Sequence, residues 1–212
     1  MDQKTLRRHL SSSNLQRLAR ATKLSRTTLY KVMEAKPTTT ATLGKLSSFF
    51  ENKTANELYQ NLKFYGAPLA EKNRRKTLTL EETLLEALKV SRTDSLVESV
   101  LPYVLFKNRA VLNLPLLLRE SVKSDVDRLL GYYLDVSNQY KPNKTFKNFT
   151  HDMRNLFHYE TNQPQTLNGK TVKEFALSAY LKNTVALDWG LLVRGELSHY
   201  LERFHKWEQL ES

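Results

Sequence analysis

Helix-start signals recur along this chain of 212 residues and constrain its fold more than any other feature. A Ser or Thr followed three residues later by Glu is typical of a helix N-terminus, because each side chain bonds to the other residue's backbone amide. The pattern occurs at Thr54–Glu57, Thr79–Glu82, Ser95–Glu98 and Thr171–Glu174. Apolar residues recur at helical spacing, most clearly from Asp125 to Val136, and strand signals are few. The sequence therefore predicts an all-α fold.

The positive charge of the chain is confined to its first third. The net charge is +11, and residues 1–76 carry sixteen Lys and Arg against five Asp and Glu. Residues 77–212 carry seventeen of each sign. This segregation favours one domain that meets a polyanion and one that does not. Nucleic acid is the first candidate, and a membrane surface is a weaker one because no strongly amphipathic basic helix is present.

Composition also divides the chain into three parts. A Gly-Ala-Pro sequence followed by a basic run, over residues 66–76, is typical of a linker. We predict a helix-turn-helix domain of five short helices over residues 1–66 and a basic linker over residues 67–78. An all-helical domain, an orthogonal bundle, is predicted over residues 79–212.

The stretch from Asn14 to Met33 contains two short helical patterns separated by about three residues, the layout of a helix-turn-helix. Leu29 and Val32 lie on one face of the second pattern, and Leu24 in the turn can fill the gap between the helices. Ser25 is predicted to cap the second helix with its hydroxyl. The opposite face is polar, with donors for base edges and phosphates and a threonine methyl for thymine.

The outward-facing residues around this second helix are candidates for DNA contacts. Those predicted to read base edges in the major groove are Ser25, Arg26, Thr27, Thr28, Tyr30 and Lys31. Those predicted to hold phosphates are Gln16, Arg17, Lys36 and Lys45 and, on a basic arm, Arg74 and Arg75. The alternative for the arm is a solvated connector.

Residues 4–64 resemble the Cro/CI (Xre-type) helix-turn-helix DNA-binding domain, and residues 24–31 resemble its antidote (antitoxin) branch most. The resemblance is carried by small Ala19 in the first helix, by Leu24 in the turn and by the inward-facing pair of the second helix. The family usually has Gly before the turn hydrophobe, where the backbone requires a positive φ. This chain has Lys23 there, and a residue other than Gly adopts that conformation at a cost of about 1 kcal/mol.

The resemblance implies a sequence-specific transcriptional regulator, an autorepressor or antitoxin of a toxin–antitoxin, phage or mobile-element system. One helix-turn-helix reads only a few base pairs, so specificity normally needs two copies about 34 Å apart on one face of the duplex. We therefore expect a homodimer on double-stranded DNA, with residues 79–212 supplying the dimer contact or binding a toxin protein. A non-catalytic toxin-binding scaffold is an alternative.

Catalysis is the other alternative. Arg194 and His199 resemble the Arg–His signature of the HEPN ribonucleases, in which the His is a proton-transfer group on an RNA phosphodiester. Residues five apart on one helix point about 140° apart, so convergence requires Arg194 to precede the helix. The competing interpretation is a surface Arg and a half-buried His. The pair His151 and Asp152 is similar to that of metal phosphohydrolases but lacks further ligands, so no catalytic residue, metal site or cofactor is assigned.

Two further features bear on partners and compartment. Residues 140–149 are predicted to form a basic, aromatic loop that either stacks on single-stranded bases or tucks its Phe side chains beneath it. The absence of Cys removes disulfides, thiolate nucleophiles and Cys-based zinc sites. The N-terminal residues are polar and basic, and no apolar run approaches the roughly 18 residues of a membrane span, which fits a cytoplasmic protein.

Overall fold

A computed structural model gives the structure of the chain. It describes residues 3–11, 13–70, 73–159, 164–167, 180–193 and 196–211. Within these ranges, the side chains of Gln3, Arg17, residues 51–54 and Glu211 lie outside the description. The predicted helix at Thr171–Glu174 also lies outside it.

The described part of the chain is mostly helical, which confirms the predicted all-α fold. The helices are α1 (Gln3–Ser11), α2 (Leu15–Thr22), α3 (Arg26–Met33), α4 (Thr40–Phe64), α5 (Leu80–Val90), α6 (Ser95–Lys107), α7 (Leu114–Lys123), α8 (Asp127–Tyr140), α9 (Lys144–Phe157), α10 (Thr184–Leu187) and α11 (Leu197–Glu211). Two short strands, β1 (Gln165–Thr166) and β2 (Leu191–Leu192), pair in parallel with Gln165 opposite Leu191.

The chain divides into two compact units, Met1–Glu57 and Leu58–Ser212. The division falls within α4 and therefore earlier than the predicted boundary at residue 66. Leu58 and Leu62, on the last turns of α4, are buried in the core of the second unit. This burial is the physical reason that the boundary precedes the glycine and proline that suggested it.

In the first unit, four described helices enclose one core. The buried apolar residues of this core are Leu6, Leu10, Leu18, Leu29, Val32, Leu46 and Phe50. The prediction of a fifth helix starting at Thr54 was wrong, because α4 runs unbroken from Thr40 to Phe64. Residues 51–53 are Glu-Asn-Lys, with no Gly or Pro to stop a helix, so the Thr-x-x-Glu pattern here lies in a helix interior.

In the second unit, α8 is the central helix and packs against α6, α7, α9, α10 and α11. Its predicted apolar face is confirmed as buried, namely Val126, Leu129, Leu130, Tyr133 and Leu134. Gly131 lies where Trp189 of the segment after α10 approaches most closely. A Cβ atom added at Gly131 would lie 2.2 Å from two carbons of the Trp189 ring, a distance that real Cβ atoms do not show.

Local signals at helix ends were partly correct. The capping box at Thr79 and Glu82 is confirmed, since the Thr79 hydroxyl accepts from the Glu82 amide and the Glu82 carboxylate accepts from the Thr79 amide. The cap of α6 is Asp94 instead of the predicted Ser95, because its carboxylate accepts from the amides of residues 96 and 97. The sequence suggests that Pro102 kinks or ends this helix; α6 does not end there but continues to Lys107, and it is buried from Val100 to Phe106.

The predicted loop at residues 140–149 was also wrong over most of its length. Asn143 caps α9, its side chain accepting from the amide of Phe146, and the helix begins at Lys144. Phe146 is fully buried, and Phe149 packs against the core of the second unit. The Phe side chains are therefore core residues, as the non-binding interpretation of this segment required.

The segment predicted as a basic linker, residues 67–78, packs on the second unit where it is described. Ala67 and Leu69 are buried in that unit's core. The Asn61 side chain accepts from the amides of Thr77 and Leu78 and donates to the Thr77 hydroxyl at 2.7 Å. These contacts hold both ends of the segment against the end of α4.

Candidate nucleic-acid interface

The turn between α2 and α3 has the geometry that the sequence predicted. Lys23 has a φ of +54°, in the left-handed region that Gly would occupy without strain. The Leu24 amide donates to the Ala19 carbonyl at 3.2 Å, which closes the end of α2. The Lys23 side chain is exposed close to the start of α3, and this cation was not among the predicted DNA contacts.

Ser25 caps α3 as predicted. Its hydroxyl oxygen accepts from the Thr28 amide at 3.0 Å, and the Ser25 and Thr28 hydroxyls are 2.8 Å apart. One of the orphan amides of the first turn is therefore satisfied by a side chain. Because both hydroxyls are engaged with each other, they fix the start of the helix and orient the residues that follow.

The two faces of α3 are opposite in character. Leu29 is fully buried and Val32 is 4% exposed, whereas the Tyr30 side chain is 50% exposed. The exposed polar set consists of Arg26, Thr27, Tyr30 and Lys31, while Thr28 is half-buried. At 100° per residue, the centre of this set lies roughly 160° from the centre of the buried pair. The polar set therefore forms one outward face, as predicted.

The residues predicted to hold phosphates are divided between the two units. Gln16, Lys36 and Lys45 are exposed residues of the first unit, and the side chain of Arg17 is outside the described residues. The Lys36 ammonium lies 2.6 Å from the Glu34 carboxylate, with both side chains more than half exposed. Such a surface pair contributes only about 0–1 kcal/mol, so a phosphate can compete for the lysine.

Arg74 and Arg75 are also exposed, but they belong to the second unit. The Arg75 amide donates to the Gln60 carbonyl at 3.4 Å, which places this backbone beside the end of α4. The structure therefore groups these two residues with the second unit and the remaining predicted contacts with the first.

The net charge of the first unit also suits it to contact a polyanion. Residues 1–57 carry eleven Lys and Arg against four Asp and Glu, a balance of +7 in a unit of fewer than sixty residues. The sequence of α3 has no acidic residue, and its N-terminal end adds the positive pole of the helix dipole. The outward face of α3 is thus a cationic surface with hydroxyl groups and one aromatic ring.

The alternative site residues are placed as follows. His199 is an exposed residue in the first turn of α11, which begins at Leu197. Arg194 lies outside the described residues. His151 is exposed on α9, with its Nε2 atom 3.0 Å from the Asn155 amide nitrogen. Among the described residues, no three His, Asp or Glu side chains are grouped so that they could hold a metal ion.

Comparisons with known proteins identified no relative of the chain. No protein-family model, curated protein or solved structure matches the chain. Within the ranges that the structure describes, no helix combines the length and apolar character needed to span a membrane. What the chain does must therefore be argued from its own residues and their geometry.

Proposed function

We propose that the chain is a sequence-specific, double-stranded DNA-binding transcriptional regulator of the Cro/CI type. In this proposal α2, the turn and α3 act as a helix-turn-helix, and α3 enters the major groove. The observation that carries the proposal is the outward face of α3, which is polar, cationic and opposite the buried pair Leu29 and Val32. A face with Arg, Lys, Thr and Tyr has the donors and the methyl group that base edges in the major groove recognise.

The residues of this face have distinct roles in the proposal. Arg26 is suited to a guanine, because its guanidinium can donate two parallel hydrogen bonds to the O6 and N7 atoms. Thr27 offers a methyl group to thymine, and Tyr30 and Lys31 offer hydroxyl and ammonium donors. Ser25 and Thr28 act mainly by fixing the start of the helix, since their hydroxyls bond to each other.

Contacts to the phosphate backbone complete the interface. Gln16 at the start of α2 and the exposed lysines Lys36 and Lys45 supply them from the first unit. Phosphate contacts fix the register of the protein on the duplex but carry no sequence information. Lys36 must leave Glu34 to make its contact, so a carboxylate then faces the DNA and partly offsets the gain.

Dimerisation and partner binding belong to the second unit in this proposal. One α3 reads only a few base pairs, so a homodimer on a near-palindromic operator is needed for useful specificity. The resemblance of the first unit to antidote regulators supports an autorepressor or antitoxin role, with a toxin protein as a further partner of the second unit. This part rests on resemblance, and the DNA-binding part rests on the geometry of α3.

Binding to genomic fragments tests the proposal. The full chain is used to select DNA from the genome that encodes it, and affinity is then measured by fluorescence anisotropy at increasing salt. We expect the affinity to fall steeply with salt because phosphate contacts release counterions. Arg26→Ala should relax the choice of base at one position, whereas Lys36→Ala should weaken all sequences evenly. Lys89→Ala, on α5 of the second unit, is the matched control.

A protein that ignores double-stranded DNA even at low ionic strength refutes the proposal. Equal behaviour of the Arg26 and Lys36 variants would refute the assignment of base reading to α3.

A HEPN-like ribonuclease is the second candidate function. The observation that favours it is the start of α11 at Leu197, since convergence with His199 requires Arg194 to come before the helix. The measurement is cleavage of single-stranded RNA by the full chain and by His199→Ala. Cleavage that is lost in this variant supports the ribonuclease, and no cleavage by either protein rejects it.

A further inference from the structure

The second unit contains a cavity that the DNA-binding proposal does not use. Its volume is about 520 Å³, and it is lined by residues of the N-terminal part of α6 and of α11, with Glu196 just before α11. Small-molecule sites typically have volumes of about 300–1,000 Å³ and combine apolar walls with a few placed polar groups. The residues that line this cavity meet both conditions.

One polar group that lines the cavity is the Glu98 carboxylate. The Tyr200 hydroxyl donates to its Oε1 atom at 2.8 Å, and Tyr200 is itself buried, so the carboxylate is held in one orientation. Burial raises the pKa of Glu98 above its ordinary value, although the Tyr200 hydrogen bond and the charge of Arg203 act against the shift. A partly desolvated carboxylate that lines a cavity can form strong hydrogen bonds with a ligand that donates N–H groups.

The apolar walls are Trp207 and Leu96. The indole ring of Trp207 stacks on Phe204 at a centroid distance of 5.8 Å and meets Tyr103 edge-on at 5.2 Å, so the ring is held by the core. Leu96 is 49% exposed although it is a large apolar residue. An aromatic ring and an aliphatic side chain in one cavity suit a flat, weakly polar ligand group.

The remaining residues that line the cavity are polar, namely Ser95, Ser99, Glu196, His199 and Arg203, and the Glu196 carboxylate is paired with the Lys182 ammonium at 2.9 Å. His199 and Arg203 are exposed residues of α11 that line this cavity. Their donors suit an anionic group, and an arginine can bind a phosphate with two parallel hydrogen bonds. The cavity therefore combines a hydrogen-bond acceptor, walls for a planar ring and donors for an anion.

We propose that this cavity binds a guanine nucleotide. The base lies between Trp207 and Leu96, its N–H edge bonds to Glu98, and its phosphate lies against Arg203 and His199. Guanine presents two adjacent donors, N1–H and the N2 amino group, to one carboxylate, whereas adenine presents a donor beside an acceptor. A simple anion leaves the aromatic wall unused and is repelled by Glu98, and an organic amine leaves the arginine and histidine without a partner.

Isothermal titration calorimetry of the full chain tests this proposal with GMP, guanosine, AMP, CMP and inorganic phosphate. We expect saturable binding of GMP, with guanosine weaker and the other three weaker still. Trp207 and the buried Trp189 are the two tryptophans of the chain, so stacking should also quench the Trp207 share of the fluorescence. No binding of GMP, or equal binding of GMP, AMP and CMP, overturns the proposal.

Two variants assign the roles within the cavity. Glu98→Gln keeps an acceptor for Tyr200 but loses the charge, so GMP should bind about tenfold more weakly or worse, and the preference over AMP should narrow. Arg203→Met should reduce GMP binding towards the level of guanosine, with His199 still in place, and leave guanosine binding unchanged. Glu202→Gln and Lys206→Met, exposed on the same helix, are the matched controls.

Circular dichroism of each variant confirms that it is folded before its binding is compared. If both cavity variants bind GMP as the unmodified chain does, the assignment of Glu98 and Arg203 is wrong and the proposal fails with it. This proposal is independent of DNA binding, because it concerns only residues of the second unit.

Discussion

The packing of Trp189 against Gly131 supports a sharp prediction for the stability of the second unit. In Gly131→Ala, the new methyl group would lie 2.2 Å from two ring carbons of Trp189, whereas ordinary contacts begin at 3.4 Å. The ring must therefore retreat by roughly 1 Å. It is fully buried, and its Nε1 atom donates to the Asp135 carboxylate at 2.8 Å, so it cannot move without disturbing its neighbours.

Three effects set the size of the change. Overpacking a core costs about 1–3 kcal/mol. Weakening a hydrogen bond to a charged group costs about 1.5–3 kcal/mol if the bond is lost completely. Alanine has a higher helix propensity than glycine, which stabilises the variant by about 1 kcal/mol. The weakened hydrogen bond and the gain in helix propensity roughly cancel, so we expect the free energy of unfolding to fall by about 1–3 kcal/mol, the cost of overpacking.

Urea unfolding followed by tryptophan fluorescence measures this change. Both tryptophans belong to the second unit, so the signal reports on that unit. The matched control is Gly44→Ala in α4, where a new methyl group has no atom within 4 Å. This control should leave the fluorescence transition unchanged and raise the stability of the first unit by up to about 1 kcal/mol, as seen by circular dichroism. A Gly131→Ala protein within 0.5 kcal/mol of the unmodified chain, about the spread of neutral substitutions, would refute the packing described here.

Three further predictions concern the turn before α3, the cap of α3 and the partly buried Glu98 carboxylate. Lys23→Gly should stabilise the first unit by up to about 1 kcal/mol in thermal unfolding, because it removes the cost of a left-handed φ; a loss of stability would contradict this. Ser25→Ala should lower that stability by about 1 kcal/mol through loss of the cap on the Thr28 amide, and an unchanged midpoint would show that the cap is not needed. Glu98→Gln should alter the pH dependence of stability. The raised pKa means that the folded state holds the proton of Glu98 more tightly, so the stability from this group is full below 4.5, the ordinary pKa, and is lost as the pH rises above it. The free energy of unfolding of the variant, measured by urea titration on both sides of pH 4.5, should lack that loss. Parallel plots of this free energy against pH for the variant and the unmodified chain would refute the effect.

Short-range patterns predicted the part of the structure that depends on neighbours in sequence. The buried pair Leu29 and Val32, the cap at Ser25 and the capping box at Thr79 all follow from residues within one helical turn of each other. The exposure of Tyr30 followed from the same periodicity. Consequently the exposed polar face of α3 follows from the sequence, and its use as a DNA interface is a proposal.

Features that depend on residues far apart in the sequence could not be predicted from local patterns. Pro102 is accommodated because α6 is buried on several sides, and local propensity is overridden by that packing. The cavity at Glu98 is formed with Tyr200, which lies about a hundred residues later in the chain. No spacing rule connects two such positions. In the sequence, Glu98 was interpreted only as the acidic member of a capping pattern with Ser95.

The position of Leu58 and Leu62 determines where a fragment that contains the second unit must begin. A fragment that starts at residue 67 or 79, as composition suggests, would lose both leucines, and each buried leucine is worth about 2–5 kcal/mol. It would also lose Asn61, which holds residues 77 and 78 in place. If such a fragment captured no partner in a pull-down, the reason could be that the fragment is unfolded, so the result would not show that a partner is missing. Fragments for partner searches should therefore begin upstream of Leu58.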